Sequence, residues 1–231
     1  MTNIVSKTIK LSTNKVRIQI RSKSRKNVIK KFADKFGLVY LGYVNQHLDE
    51  HKIIRGLTVS TKHIDHHCSV GAVGEYSVSI VDRSDIIKKP NKPTKLQNWF
   101  IMSFDLHTNI PVPHFFIQSV DNNDQSFEAL FITFPNMKPI KFGTFEKYSP
   151  DFISRFSVYA RPAKSVDVEN IIDAKVSMTL GAHLWPYSVE QHNNVLYIYC
   201  SDGKLSQGLL ETMLENGLWL VDYIDSKYDA K

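Results

Sequence analysis

Cys68-Ser-Val-Gly-Ala-Val-Gly-Glu-Tyr-Ser-Val-Ser-Ile-Val-Asp82 carries the alternation of a β-hairpin. Its second half alternates: Tyr76, Val78 and Ile80 point one way and Ser77 and Ser79 the other, so one face is apolar and one wet. Gly74-Glu75 separates this run from Cys68–Val73 by two residues, the spacing of a tight hairpin. An antiparallel sheet with one buried face accounts for both features.

Further strands are expected at Leu38–Val44, Ile53–Lys62, Trp99–Leu106, His114–Val120, Phe127–Phe134, Lys141–Phe145 and Phe156–Ala160. A hairpin is expected over Ser188–Ser201, around His192-Asn193-Asn194. Pro111-Val-Pro113 interrupts the strand pattern because proline cannot donate to a ladder. Ile87–Gln97, with Lys88, Lys89, Pro90, Lys92, Pro93 and Lys95, reads as an exposed loop, and Asp121–Gln125 as a turn.

Helical spacing appears at both ends. Val28, Ile29, Phe32 and Phe36 recur every three or four residues, with Ser24 as the cap and Gly37 as the stop. Ser149-Pro150-Asp151 opens one short turn, and Val166–Asp173 and Lys175–His183 read as helices. The last helix, about Ser206–Tyr228, places Leu210, Met213, Leu214, Leu220, Val221 and Ile224 on one stripe. Glu211, Glu215, Asp222 and Asp225 fall off that stripe, on the wet side.

The fold class is therefore α+β: a predominantly antiparallel sheet packed by an N-terminal helix and C-terminal helices. Residues 1–23 form a basic arm and 24–231 a single domain, with a two-part sheet divided near Pro135 as the variant arrangement. At 231 residues the chain can bury roughly 70–75% of its unfolded surface. Cys68 and Cys200 sit in apolar runs and read as buried, reduced thiols. The first residues lack the apolar run of a secretory leader, and no stretch approaches the roughly 18 apolar residues of a membrane span. A cytoplasmic location is expected.

Charge is distributed unevenly. Lys7, Lys10, Lys15, Arg17, Arg21, Lys23, Arg25, Lys26, Lys30 and Lys31 fall in the first 33 residues, which hold no acidic side chain. Ten charges here against a net +6 for the whole chain leave −4 for the remainder. A cationic segment on a near-neutral body favours an anionic partner, nucleic acid or another polyanion. The plainer use of such lysines is to keep an edge strand soluble.

The residues that carry metal chemistry elsewhere gather at His47, His51, His63, His66, His67 and Cys68. His47-Leu-Asp-Glu-His51 matches a zinc-protease pattern, but that pattern needs a helix, and a turn between strands is expected here. If His63–His67 is extended, His63, Asp65 and His67 share one face, with His66 and Cys68 on the other, and those three can hold a divalent ion. No cofactor motif is present: G-x-S-x-G, the P-loop and G-x-G-x-x-G are all missing. Phe115, Phe116, Phe131, Phe134 and Trp219 read as core rather than as base-stacking platforms. The leading functional expectation is a non-enzymatic binding or accessory domain that uses the arm; the alternative is a metal-dependent enzyme built on His63, Asp65 and His67.

The strings Phe36-Gly-Leu-Val-Tyr-Leu-Gly-Tyr-Val44, Asp49-Glu-His-Lys-Ile-Ile-Arg-Gly-Leu-Thr-Val-Ser60 and His63-Ile-Asp-His-His-Cys68 carry a resemblance. So do Pro113-His114, Phe142-Gly-Thr-Phe145, Phe156-Ser-Val-Tyr-Ala160, Leu196-Tyr-Ile-Tyr199 and Met213-Leu-Glu-Asn-Gly-Leu-Trp-Leu220. In these the chain resembles an uncharacterised cytoplasmic protein family of Saccharibacteria, a candidate bacterial phylum. The resemblance covers nearly everything after the arm. It implies a bacterial, cytoplasmic setting and a single-unit fold, and it assigns no site.

Overall fold

The Gly74-Glu75 turn closes a long hairpin, with Gly74 at φ 63°, the left-handed conformation that a two-residue hairpin turn requires and glycine adopts without strain. The strands on either side are β2 (Lys62–Val73) and β3 (Tyr76–Ile87), paired from Val73↔Tyr76 out to Lys62↔Ile86. The computed structural model describes residues 23–43, 62–87, 95–120, 136–141, 147–201 and 205–229. The expected strands at 53–61, 127–134 and 142–145, the turn at 121–125 and the centre of the 87–97 loop lie outside these residues.

One antiparallel sheet holds all the strands described. With β1 (Val39–Gly42), β4 (Lys95–Asp105), β5 (Phe115–Ser119), β6 (Lys138–Pro139), β7 (Phe156–Ala160), β8 (Ser188–His192) and β9 (Val195–Ser201), the order is β1-β2-β3-β4-β9-β8-β5-β7-β6. The strands on either side of Pro135 thus belong to the same sheet. The chain is α+β.

The C-terminal hairpin β8–β9 inserts at the centre, between β4 and β5. Its turn is Asn193-Asn194, both left-handed at φ 53° and 56°, a conformation asparagine tolerates better than most residues. The β4–β5 connection crosses this turn and is fastened to it. The Asn194 amide donates to the carbonyls of Thr108 (2.8 Å) and Ile110 (3.1 Å), and its Oδ1 accepts from Val112 N (3.0 Å).

Helices cover one face. The first, α1, occupies residues 23–36; it is already helical at Lys23, so Ser24 lies inside it rather than capping it. Arg25 reaches Asp82 on β3 at 3.1 Å, and Leu38, just past the helix, packs against Gly71 of β2. α1 therefore lies over β2 and β3. Next come α2 (Pro150–Arg155), α3 (Ser165–Ile171) and α4 (Ala174–Thr179), which runs into a wider turn at Leu180–Leu184. Asp173 caps α4 by accepting from Val176 N (3.0 Å), and its other oxygen accepts from Lys227 Nζ (2.7 Å) and Tyr223 OH (2.5 Å).

The last helix, α5 (Gln207–Asp229), buries the expected stripe of Leu210, Met213, Leu214, Leu220, Val221 and Ile224 over β4 and β9. At Gly217 the helix presses directly on the sheet: a Cβ there would sit 2.1 Å from the Phe104 ring, so only glycine allows this approach. Asp225 departs from the expected wet side. It is buried, and its carboxylate accepts from His107 N (3.0 Å) and Thr108 N (3.1 Å), which start the β4–β5 connection. A loop packed beside the helix claims a position that helical spacing alone assigns to solvent.

Candidate functional site

The sheet face opposite the helices is apolar with charges set into it. Alternation along the strands puts Val81 and Arg83 of β3, Trp99 and Ile101 of β4, and Tyr197 and Tyr199 of β9 on this face, all buried. Asp65 of β2 is in register with Arg83 and meets it in a two-pronged ion pair, Nε to Oδ1 at 2.6 Å and NH2 to Oδ2 at 2.8 Å. The two side chains are 0% and 2% exposed.

This pair engages the carboxylate of the expected metal set. β2 runs unbroken through His63–His67, but its register shifts between His66 and Ser69, and His67 sits at φ 54°. The extra residue reverses the alternation beyond it. Cys68 consequently shares the Asp65 face, in contact with the Val81 and Ile101 cluster, where uninterrupted alternation would have set them apart. His67 turns to Tyr40, whose hydroxyl lies 2.8 Å from its Nδ1. His63 pairs through its backbone with Asp85. Both Asp65 oxygens are engaged by Arg83, and among the described residues no three His, Cys, Asp or Glu side chains converge as a metal site. His47 and His51 lie outside the described residues.

Burial pushes the Cys68 thiol up to about 12, and the nearby Asp65 carboxylate adds to the effect. A thiol so far above its ordinary value carries almost no thiolate at neutral pH, so Cys68 is expected to react with a thiol reagent only when the protein unfolds. Timed labelling with mass detection checks this; rapid native labelling at Cys68 would contradict it. Cys200 is partly buried against the main core.

A second polar group on the same face has no local signature in the sequence, because its members come from three separated strands or strand ends. Glu190, at 0% exposure, accepts from the Tyr199 hydroxyl at 2.5 Å and lies 2.9 Å from His114 Nε2. His192 packs against His114 with ring centres 4.4 Å apart. Burial, then the neighbouring His114, hold the His192 imidazole below its usual range, with Glu190 working the other way. Burial and Glu190 push the Tyr199 phenol far above its ordinary value, so it stays a proton donor to that carboxylate. Glu190 ties β5, β8 and β9 together across the middle of the sheet. Phe115 and Phe116 are core, as expected.

Lys23, Lys26, Lys30 and Lys31 of α1 are exposed, and among the described residues no carboxylate pairs with them. Two cations of the helix are engaged instead: buried Arg25 with Asp82, and Lys35 with Glu211 of α5 at 2.7 Å. The arm cations Lys7, Lys10, Lys15, Arg17 and Arg21 lie outside the described residues. No helix among the described residues is long and apolar enough to cross a membrane. In comparisons with protein families, curated proteins and solved structures, nothing matches the chain.

Proposed function

We propose that the chain is a non-enzymatic cytoplasmic binding or accessory domain that engages nucleic acid or another polyanion through its basic arm and first helix. The observation that carries this reading is the set of four exposed lysines on α1 that no carboxylate pairs with among the described residues, continuous in sequence with an arm that has no acidic residue. Among the described residues, Asp65 pairs with Arg83, Glu190 accepts from Tyr199, and Asp82 takes up Arg25 of α1, so the exposed α1 lysines with no carboxylate partner there are Lys23, Lys26, Lys30 and Lys31. The resemblance to the Saccharibacteria family supports the cytoplasmic bacterial setting.

The described helix offers lysines without an aromatic platform, so recognition rests on phosphate charge and is indifferent to sequence. Engagement of about five phosphates of duplex DNA gives a slope of about −4.5 in log affinity against log salt, at about 0.9 per phosphate. Fluorescence anisotropy at two or more salt concentrations is expected to return a slope of this order. A chain lacking residues 1–23 loses six of the ten cations and is expected to lose more than half of it. No association at low salt, or an affinity unchanged by the deletion, would remove polyanions as the partner.

A further inference from the structure

Two histidines meet where the β4–β5 connection ends and the β8–β9 turn begins. His114 is the residue before β5 and His192 the last of β8, and their ring centres are 4.4 Å apart. Both are half-buried, so water reaches the rings without surrounding them. His192 pairs with Val195 across Asn193-Asn194 and so closes the hairpin. His114 ends the connection that the same turn holds down: Leu106 N donates to the Asn194 carbonyl at 2.9 Å, and the Asn194 side chain engages Thr108, Ile110 and Val112. The ring contact fastens the far end of that connection.

The charges around the rings suit one cation better than two. Among the described residues, the groups that face His192 are His114 from the connection, Glu190 from its own strand and Arg161, which lies just past β7 and is exposed. Glu190 is the one carboxylate among these. Its Oε1 lies 2.9 Å from His114 Nε2, and its Oε2 accepts from the Tyr199 hydroxyl at 2.5 Å. Two protonated rings in contact would share this single carboxylate, with the Arg161 guanidinium adding to the repulsion. Burial acts in the same direction as His114 and Arg161, and together they outweigh Glu190 in holding His192 to its neutral form.

We infer that the contact between His114 and His192 is an acid-sensitive latch: protonation of His192 drives the two rings apart and frees the 106–114 connection from the β8–β9 turn. The closed contact disfavours the charged ring, and an open one returns it to the ordinary histidine range of about 6.5. The latch is therefore fully closed above about pH 6.5 and weakens as pH falls below it. One proton is taken up per opening, which limits the change to about tenfold in the opening equilibrium per pH unit. Opening exposes Leu106, Thr108 and Val112, which the closed latch keeps buried. None of the groups involved belongs to α1 or the arm, so the latch stands apart from polyanion binding.

Amide hydrogen exchange of the full chain between about pH 5 and about pH 7.5 covers the histidine range and stays above that of ordinary carboxylates. After correction for the intrinsic pH dependence of exchange, protection at 106–114 and at Asn193-Asn194 is expected to fall below about pH 6.5, while β3 and β4 keep theirs. His192→Phe keeps a ring against His114 without a titrating nitrogen and is expected to make protection constant across the range. His192→Gln, smaller and also uncharged, is expected to do the same and serves if the phenylalanine variant does not fold. Nuclear resonance of the wild-type imidazoles is expected to show His192 titrating below the ordinary range. Wild-type protection that does not change with pH, an equal fall in both variants, an equal loss in β3 and β4, or a His192 that titrates at or above the ordinary range would each overturn the inference.

Discussion

A chain ending at Ser206 is expected to lose the cooperative melt of the full-length protein. Removing α5 uncovers Phe104 and the faces of β4 and β9, and takes away six side chains that are each no more than 2% exposed: Leu210, Met213, Leu214, Leu220, Val221 and Ile224. Burial of a large apolar side chain contributes about 1.5–3 kcal/mol. Even at the lower figure, six amount to about 9 kcal/mol against a typical total of about 5–15. Polar losses add to this. Without Asp225 the N–H groups of His107 and Thr108 lose their acceptor, and the connection that crosses the β8–β9 turn loses one of its anchors. Calorimetry and near-ultraviolet dichroism of the shortened chain check the expectation. A sharp transition with full near-ultraviolet signal would make α5 an appendage.

The parts of this fold that sequence reveals are those in which a residue's environment is set by close neighbours in the chain. The β2–β3 turn, the Asn193-Asn194 hairpin, α1 and the stripe of α5 all follow from periods of two or of three to four with a turn residue at the end. Strand order is different in kind. Nothing near Val195–Ser201 indicates that this strand pairs with Trp99–Asp105, nearly a hundred residues earlier, and the insertion of β8–β9 between β4 and β5 depends on that pairing. β2 shows the same limit at smaller scale. His63–His67 is polar enough to pass for a loop, yet it is strand because Asp65 finds Arg83 on the neighbour, and the shift beyond His66 then undoes the alternation used to group the histidines. Glu190 and His114, 76 residues apart, meet for the same reason. The exposure of Lys23, Lys26, Lys30 and Lys31 follows from helical spacing, since none of them falls on the apolar stripe of α1, whereas the burial of Arg25 depends on Asp82 of a strand nearly sixty residues later.

The Asp65–Arg83 pair yields the other large effect. Asp65→Asn is expected to cost about 3–5 kcal/mol, because it leaves a guanidinium charged in a site where it is 2% exposed and its two strongest hydrogen bonds have lost their charge assistance. Arg83→Met alone should cost a similar amount by stranding the carboxylate. The double variant Asp65→Leu/Arg83→Met is expected to recover most of the loss, since replacing both members of a buried pair by apolar groups of similar volume is often neutral or stabilising. Denaturant melts of the four proteins, read as a double-mutant cycle, measure the coupling. The same set separates a structural Asp65 from a metal ligand. If Asp65 held a divalent ion with His63 and His67, native protein would carry one equivalent of metal, and every variant lacking Asp65 would lose it together with its stability, the double variant included. If the carboxylate serves Arg83, stability returns in the double variant whatever the metal content. Failure of the double variant to recover would return Asp65 to the list of chemically active residues.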